Sequence, residues 1–200
     1  MSDLTGLILA GGQSRRMGFD KGQIVFRGLP LRVFAYEQVK KAGVGEVFIS
    51  CREDQISELE GFPVVVDIFP DSGPLGAILS AFEKKPQSAW LVLACDMPLV
   101  RVETLQRLIS SRNPTQQATA FSDETGRLQP LVSIWEPSIL PTVKSVFFTQ
   151  NRSPRRVLEL SDIHPIISGN PDEFANLNDP ESLLSVVLRV LCGSNPTQSK

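Results

Sequence analysis

The chain has 200 residues, 42% hydrophobic and 21% charged, enough for one well-buried α/β domain and too few for a second full one. A formal net charge of -2 excludes the basic field that general nucleic-acid binding needs, so a polyanionic ligand must be met by a local group of positive charges. No apolar run approaches a membrane span, and Met1-Ser2-Asp3 lacks the positive start of a secretory signal, so the chain reads as cytoplasmic, with neither membrane nor nucleic acid as partner.

Cys51, Cys95 and Cys192 are far apart and odd in number, which suits neither a disulfide framework nor a zinc site. His164 is the only histidine, and Pro165 after it places it in a connection. Ser-His-Asp and Cys-His mechanisms are therefore disfavoured. Carboxylates, lysines, arginines and backbone amides are left to carry any chemistry.

Short apolar runs alternate with longer segments of helical spacing. Leu7-Ile8-Leu9-Ala10 reads as a buried strand ending in glycines, and Leu31 to Lys41 as a helix stopped near Gly43. Val47-Phe48-Ile49 and Val64-Val65-Val66 follow as strands, the latter ending at Asp67. Pro74 to Lys84 reads as a helix with proline in its first turn, and Trp90 to Ala94 as a strand ending at Cys95-Asp96. Val102, Leu105, Leu108 and Ile109 give a helix over Val102 to Arg112. Ala118 to Phe121 and Leu131 to Trp135 read as strands flanking a turn at Asp123 to Gly126. Asn178-Asp179-Pro180-Glu181 offers a cap for a last helix, Glu181 to Leu191. One domain over residues 1–192 with a flexible polar tail at 193–200 is the expected organisation. The alternation implies a largely parallel sheet covered on both faces. Ligands in such folds sit beyond the carboxyl ends of the strands, where the Gly11-Gly12 loop, Asp67 and Asp96 all fall.

The loop runs Leu9-Ala10-Gly11-Gly12-Gln13-Ser14-Arg15-Arg16-Met17-Gly18-Phe19-Asp20-Lys21. Glycines let backbone approach phosphate closely, successive N–H groups can form an anion nest, and Arg16 and Lys21 add full charges. No Gly-Lys-Ser/Thr follows, so this is not a P-loop, and the G-x-G-x-x-G of dinucleotide-binding dehydrogenases is missing. Asp20 is placed to pair with an arginine of the loop. Asp96, at a strand end, suits a hard cation meeting phosphates, or closes a turn before the helix at Val102. Asp67 reads as a ligand contact or an exposed loop acid, and Asp71-Ser72 as a helix start or a loop over the ligand. Arg152, Arg155 and Arg156 form a basic group that is either solvated or holds an anionic acceptor.

The loop resembles that of the molybdenum cofactor guanylyltransferases, the MobA family, at every fixed position of L-A-G-G-x-S-x-R-M-G-x-D-K. The resemblance continues in order through Gly28-Leu29-Pro30-Leu31, Asp67, Gly73-Pro74-Leu75-Gly76, Cys95-Asp96-Met97-Pro98 and Asn176-Leu177-Asn178. It implies a three-layer α/β/α, Rossmann-like fold with a mostly parallel central sheet and helices on both faces. It further implies transfer of GMP from GTP to molybdopterin with release of pyrophosphate. Relatives that transfer cytidylyl groups usually carry alanine at the place of Gly11 and proline at the place of Asp20.

By that resemblance Arg16, Lys21 and Asp96 are catalytic, and Asp96 holds Mg²⁺. Leu9, Ala10, Gly11, Gly12, Arg16, Gly18, Lys21, Ser50, Asp67 and Asp96 bind the nucleotide. Gly76, Asn176 and Asn178 face the acceptor. Asp67 would accept from guanine N1–H and N2–H₂ or contact the ribose. Two departures stand out: Ser50 where some relatives have asparagine, and Gln129-Pro130 where some have His-Pro. Implied partners are GTP, molybdopterin, and molybdoenzymes or their chaperones as receivers of the product. The competing readings are the same chemistry with CTP or a sugar phosphate, and a non-catalytic cofactor carrier.

Overall fold

The computed structural model describes residues 2–11, 20–149 and 152–177. Its elements are β1 (Leu4–Leu9), a two-stranded ribbon of β2 (Val25–Phe26) and β3 (Leu29–Pro30), α1 (Leu31–Lys41), β4 (Glu46–Cys51), β5 (Val64–Val66) and α2 (Gly73–Lys84). Then come β6 (Ala89–Ala94), α3 (Val102–Ser110), β7 (Ala118–Ser122), β8 (Leu128–Trp135), α4 (Leu140–Phe147), α5 (Pro154–Glu159) and β9 (Ile163–Ile167).

Among the described residues seven strands form one sheet in the order β5-β4-β1-β6-β8-β7-β9. β8 pairs antiparallel with both neighbours, and every other pair in the sheet is parallel. All six residues of β6 are buried, as expected of a strand covered on two faces. Side chains alternate between the faces. Ile8, Leu91 and Leu93 join the core under α1 and α3, with Leu31, Val39, Leu105 and Leu108. Leu7, Trp90 and Val92 join the core under α2, α4 and α5, with Leu75, Leu79, Val143 and Val157. The register Leu7↔Val92 and Ile8↔Leu93 keeps those sets apart, and a one-residue slip would exchange them. Each large aliphatic side chain so buried contributes about 1.5–3 kcal/mol.

The helices begin and end where local chemistry dictates. In α1, Leu31, Ala35 and Val39 are buried at successive four-residue steps, and Gly43 at φ 102 follows its end. In α2 the proline lies in the first turn, where its missing N–H costs nothing. The helix expected to reach Arg112 stops at Ser110, and the strand expected from Leu131 starts at Leu128. His164 does not lie in a connection: it pairs with Thr119 inside β9. Pro165, read as a loop signal, is accommodated because β9 is an edge strand among the described residues and needs only one ladder. The expected last helix and tail lie outside the described residues.

β5, β4, β1 and β6 are adjacent and parallel, so their carboxyl ends emerge side by side. The residues that follow them, Asp67, Arg52, Ala10-Gly11 and Cys95-Asp96, therefore meet at one edge of the sheet. No helix among the described residues is long and apolar enough to cross a membrane.

Candidate active site

A cleft of about 1430 Å³ opens at that edge. Leu9, Ala10, Gly11, Lys21, Ser50, Asp67 and Asp96, all expected at the site, line it. Gly12, Arg16, Gly18 and Asn178 lie outside the described residues.

Asp67 is placed by backbone and side chain together. Its N–H donates to the Cys51 carbonyl at 2.8 Å, and the Ser50 hydroxyl donates to its Oδ1 at 2.8 Å. Ser50 itself is fully buried, so the serine found in place of asparagine serves as an internal donor to this acid. Burial pushes the Asp67 carboxyl up to about 6, against the opposing pull of the Ser50 hydrogen bond and the Arg52 charge. A Cβ built on Gly11 would collide with Oδ2 of Asp67 and lie 3.5 Å from the Cys51 backbone. Gly11 is thus glycine because the acid occupies the space a methyl group would need. Gly11→Ala is expected to displace Asp67 and weaken nucleotide binding roughly tenfold, a loss of one charged hydrogen bond, measurable by titration calorimetry.

Asp96 follows β6, and its carboxylate stands 3.5 Å from Nζ of Lys21. Both side chains are largely buried, 17% exposed for the lysine and 19% for the acid. Burial raises the Asp96 carboxyl above the usual range, and the Lys21 charge and hydrogen bond counter it. No cluster of three or more His, Cys, Asp or Glu able to hold a metal occurs among the described residues. A single carboxylate lining this cleft would nonetheless suit Mg²⁺, which takes one or two protein carboxylates and fills its octahedron with water and substrate oxygens. Cys51 and Cys95 are buried free thiols, pushed up by burial above all, to about 11 in Cys51, so neither supplies a thiolate.

Lys21 is set by Asp20. Asp20 Oδ1 accepts the Gly22 N–H at 2.8 Å, opening the turn Lys21–Gln23. Its Oδ2 accepts from Gln55 Nε2 at 2.7 Å and from Arg32 Nη1 at 3.4 Å. Among the described residues the arginine beside Asp20 is Arg32 of α1; the loop arginines Arg15 and Arg16, one of which was expected to pair with it, lie outside the described residues. Arg32 is itself buried and pairs with Glu58 at 3.0 Å.

The opposite wall is the segment Asp67 to Gly73, in which Asp71 (φ 57) and Gly73 (φ 62) adopt left-handed backbone. Ser80 holds it from α2, accepting the Ile68 N–H at 3.1 Å. Gly76 stands behind this segment: an added Cβ would lie 2.7 Å from Ser72 Cβ and 3.1 Å from the Phe69 carbonyl. Its contribution is close approach. Of the basic group, Arg152 reaches this wall, donating to Ser72 Oγ at 3.1 Å with its guanidinium 4.9 Å from the Phe147 ring centroid. Arg156 pairs with Glu159 in the next turn at 3.5 Å. Asn176 is half-buried, and its neighbour Leu177 donates its N–H to the Asp96 carbonyl at 2.8 Å, bringing the Asn176 segment to the Asp96 turn.

Sequence reasoning missed Arg32, Arg52 and Gln55. Arg52 could have been suspected from its place just beyond a strand end. The other two carry no local signal, since each reaches the site from a helix or turn far along the chain.

The model of the family described as MobA-like NTP transferase domain matches residues 6–166. A molybdenum cofactor guanylyltransferase of Polynucleobacter asymbioticus is 34% identical over 191 residues, covering 90% of this chain and 94% of that protein. A molybdenum cofactor biosynthesis bifunctional protein of Synechocystis sp. is 32% identical over 181 residues, 89% of this chain; the chain spans 52% of that longer relative. In fold, the chain matches the crystal structure of molybdopterin-guanine dinucleotide biosynthesis protein A from Archaeoglobus fulgidus with a TM-score of 0.77 at 19% identity, covering 94% of this chain and 98% of the other. By the extent of the matched domain and by these relatives, the chain belongs to the MobA-like NTP transferase family.

Proposed function

We propose that the chain is a nucleotidyltransferase that moves GMP from GTP to molybdopterin, forming the guanine dinucleotide cofactor and releasing pyrophosphate. The observation that carries this reading is the meeting of Gly11, Ser50, Asp67, Lys21 and Asp96 in one cleft at the ends of adjacent parallel strands. The relatives named as guanylyltransferases support the choice of base and acceptor. We further propose a single domain through residue 192 with a polar tail, acting in the cytoplasm.

In the reaction an oxygen of the acceptor's terminal phosphate attacks the α-phosphorus of GTP. A new P–O bond forms, the bond from α-phosphorus to the bridging oxygen breaks, and that oxygen leaves on pyrophosphate. A phosphate nucleophile is ionised at neutral pH, so no histidine base is required. Alignment and charge neutralisation supply the rate. Lys21, with Arg16 and the loop amides, holds the β and γ phosphates and the departing charge. Asp67, backed by Ser50, accepts from the guanosine. Asp96 would hold Mg²⁺, which when bound would supply Lewis-acid neutralisation of the phosphates. The cleft wall at Asp67–Gly73 and the Asn176 segment beside the Asp96 turn orient the acceptor.

The test is pyrophosphate release with GTP, CTP, ATP or UTP, with Mg²⁺, with and without molybdopterin. Release only with GTP and molybdopterin together is the expected result. Preference for CTP would reassign the base, and molybdopterin binding without release under any triphosphate would make the chain a carrier.

A further inference from the structure

The nucleotide loop leaves β1 at Gly11 and returns at Asp20, and both stems are tied to one short piece of chain. Arg52 Nη1 donates to the Gly11 carbonyl at 3.1 Å. Its Nε and Nη2 grip the Asp54 carboxylate at 3.0 and 3.2 Å, which orients the guanidinium plane. Three residues on, Gln55 is 2% exposed and uses both ends of its amide. Its Oε1 accepts the Arg52 backbone N–H at 2.9 Å, and its Nε2 donates to Asp20 Oδ2 at 2.7 Å. The same piece follows Ser50 and Cys51, which seat Asp67. A buried amide spanning two sites in this way transmits position, because neither of its bonds can lengthen without leaving a polar group unmet.

We propose that Arg52 and Gln55 are positioning residues that clamp the two stems of the nucleotide loop and set the aim of Lys21 at the β and γ phosphates. The proposal rests on the nucleotidyl-transfer reading above. Gln55 touches no reacting group, and its effect runs through Asp20, whose Oδ1 holds the Gly22 N–H at the Lys21 turn. Arg32 braces Asp20 from the other side at 3.4 Å but does not reach Gly11, so the link between stems belongs to the Arg52–Gln55 piece.

A clamp of this kind makes a specific demand on binding. Misplacing the stems weakens contacts to the β and γ phosphates and spares the nucleoside end. The measurement is the dissociation constant for GTP and for GMP, each with Mg²⁺, in the wild-type chain and in Gln55→Leu, which nearly keeps the buried volume. The advantage of GTP over GMP is expected to shrink by about tenfold or more, with GMP affinity held within about threefold, and kcat is expected to fall by up to about 10²-fold. Arg52→Lys, at a partly exposed position, keeps the charge but cannot hold Asp54 in two bonds and Gly11 as well. It is expected to shrink the same ratio by several-fold, and it gives the reading should Gln55→Leu fail to fold. An unchanged ratio in the variants that fold, or equal weakening of both nucleotides, overturns the clamp. If the wild type prefers another triphosphate, the guanine assignment falls and the ratio is read with that base's tri- and monophosphate, so the two failures stay distinct.

Discussion

Asp96→Ala is expected to lose about three orders of magnitude in turnover, the scale of a charge-stabilising group aimed at a transition state, while still unfolding cooperatively on heating. The acid contributes no apolar packing and is raised by burial, so its removal spares the fold. What is lost is the proposed hold on Mg²⁺ at the phosphates, together with the charge that Lys21 faces at 3.5 Å. Asp96→Asn keeps the shape and is expected to lose nearly as much, because a neutral amide oxygen is a poor ligand for a hard dication. The check is steady-state pyrophosphate release beside a thermal melt. Activity above about a tenth of wild type in either variant would move the metal assignment elsewhere.

Asp67→Asn is expected to cost roughly 10–150-fold in nucleotide affinity and to make the chain more stable at pH 8. The acid titrates near 3.8 when unfolded and near 6 in the folded chain. The folded state therefore binds the extra proton within that window, stability falls as pH rises through it, and above about 6 the ionised carboxylate is held at a cost. That cost is at most about 3 kcal/mol, and the amide avoids it while still accepting from Ser50. A rise in Tm of roughly 3–8 °C at pH 8, vanishing towards pH 4, is the expected signature. In the wild type, nucleotide affinity is expected to fall as pH drops below about 6, when the acceptor carboxylate takes up its proton. Calorimetric titrations from pH 5 to 8, with melts over a wider range, test both halves. Unchanged affinity in Asp67→Asn would place the guanosine away from this acid.

Several site residues were legible along the chain because strand ends announce themselves. Leu9-Ala10-Gly11, Asp67 and Asp96 each close an apolar run, and in a parallel sheet such closings share an edge. Gly76 was legible only as part of a motif, and its physical reason, room for Phe69 and Ser72, needed the packed helix. His164-Pro165 misled because a proline is a breaker in one setting and tolerable on an edge strand in another, and edges exist only once the strand order is known.

The amino-acid sequence by itself determined the alternation of strands and helices, the glycine-rich composition of the Leu9–Lys21 loop, and the acids that follow β5 and β6. These rest on local periodicity and on short-range chemistry. Only the tertiary structure decided that Gly11 must lack a side chain because Asp67 fills its space, that Ser50 is the donor to that acid, and that Asp20 is met by Arg32 and Gln55. Those contacts join residues tens of positions apart, and their energies depend on distance and burial, quantities that exist only after the chain has folded.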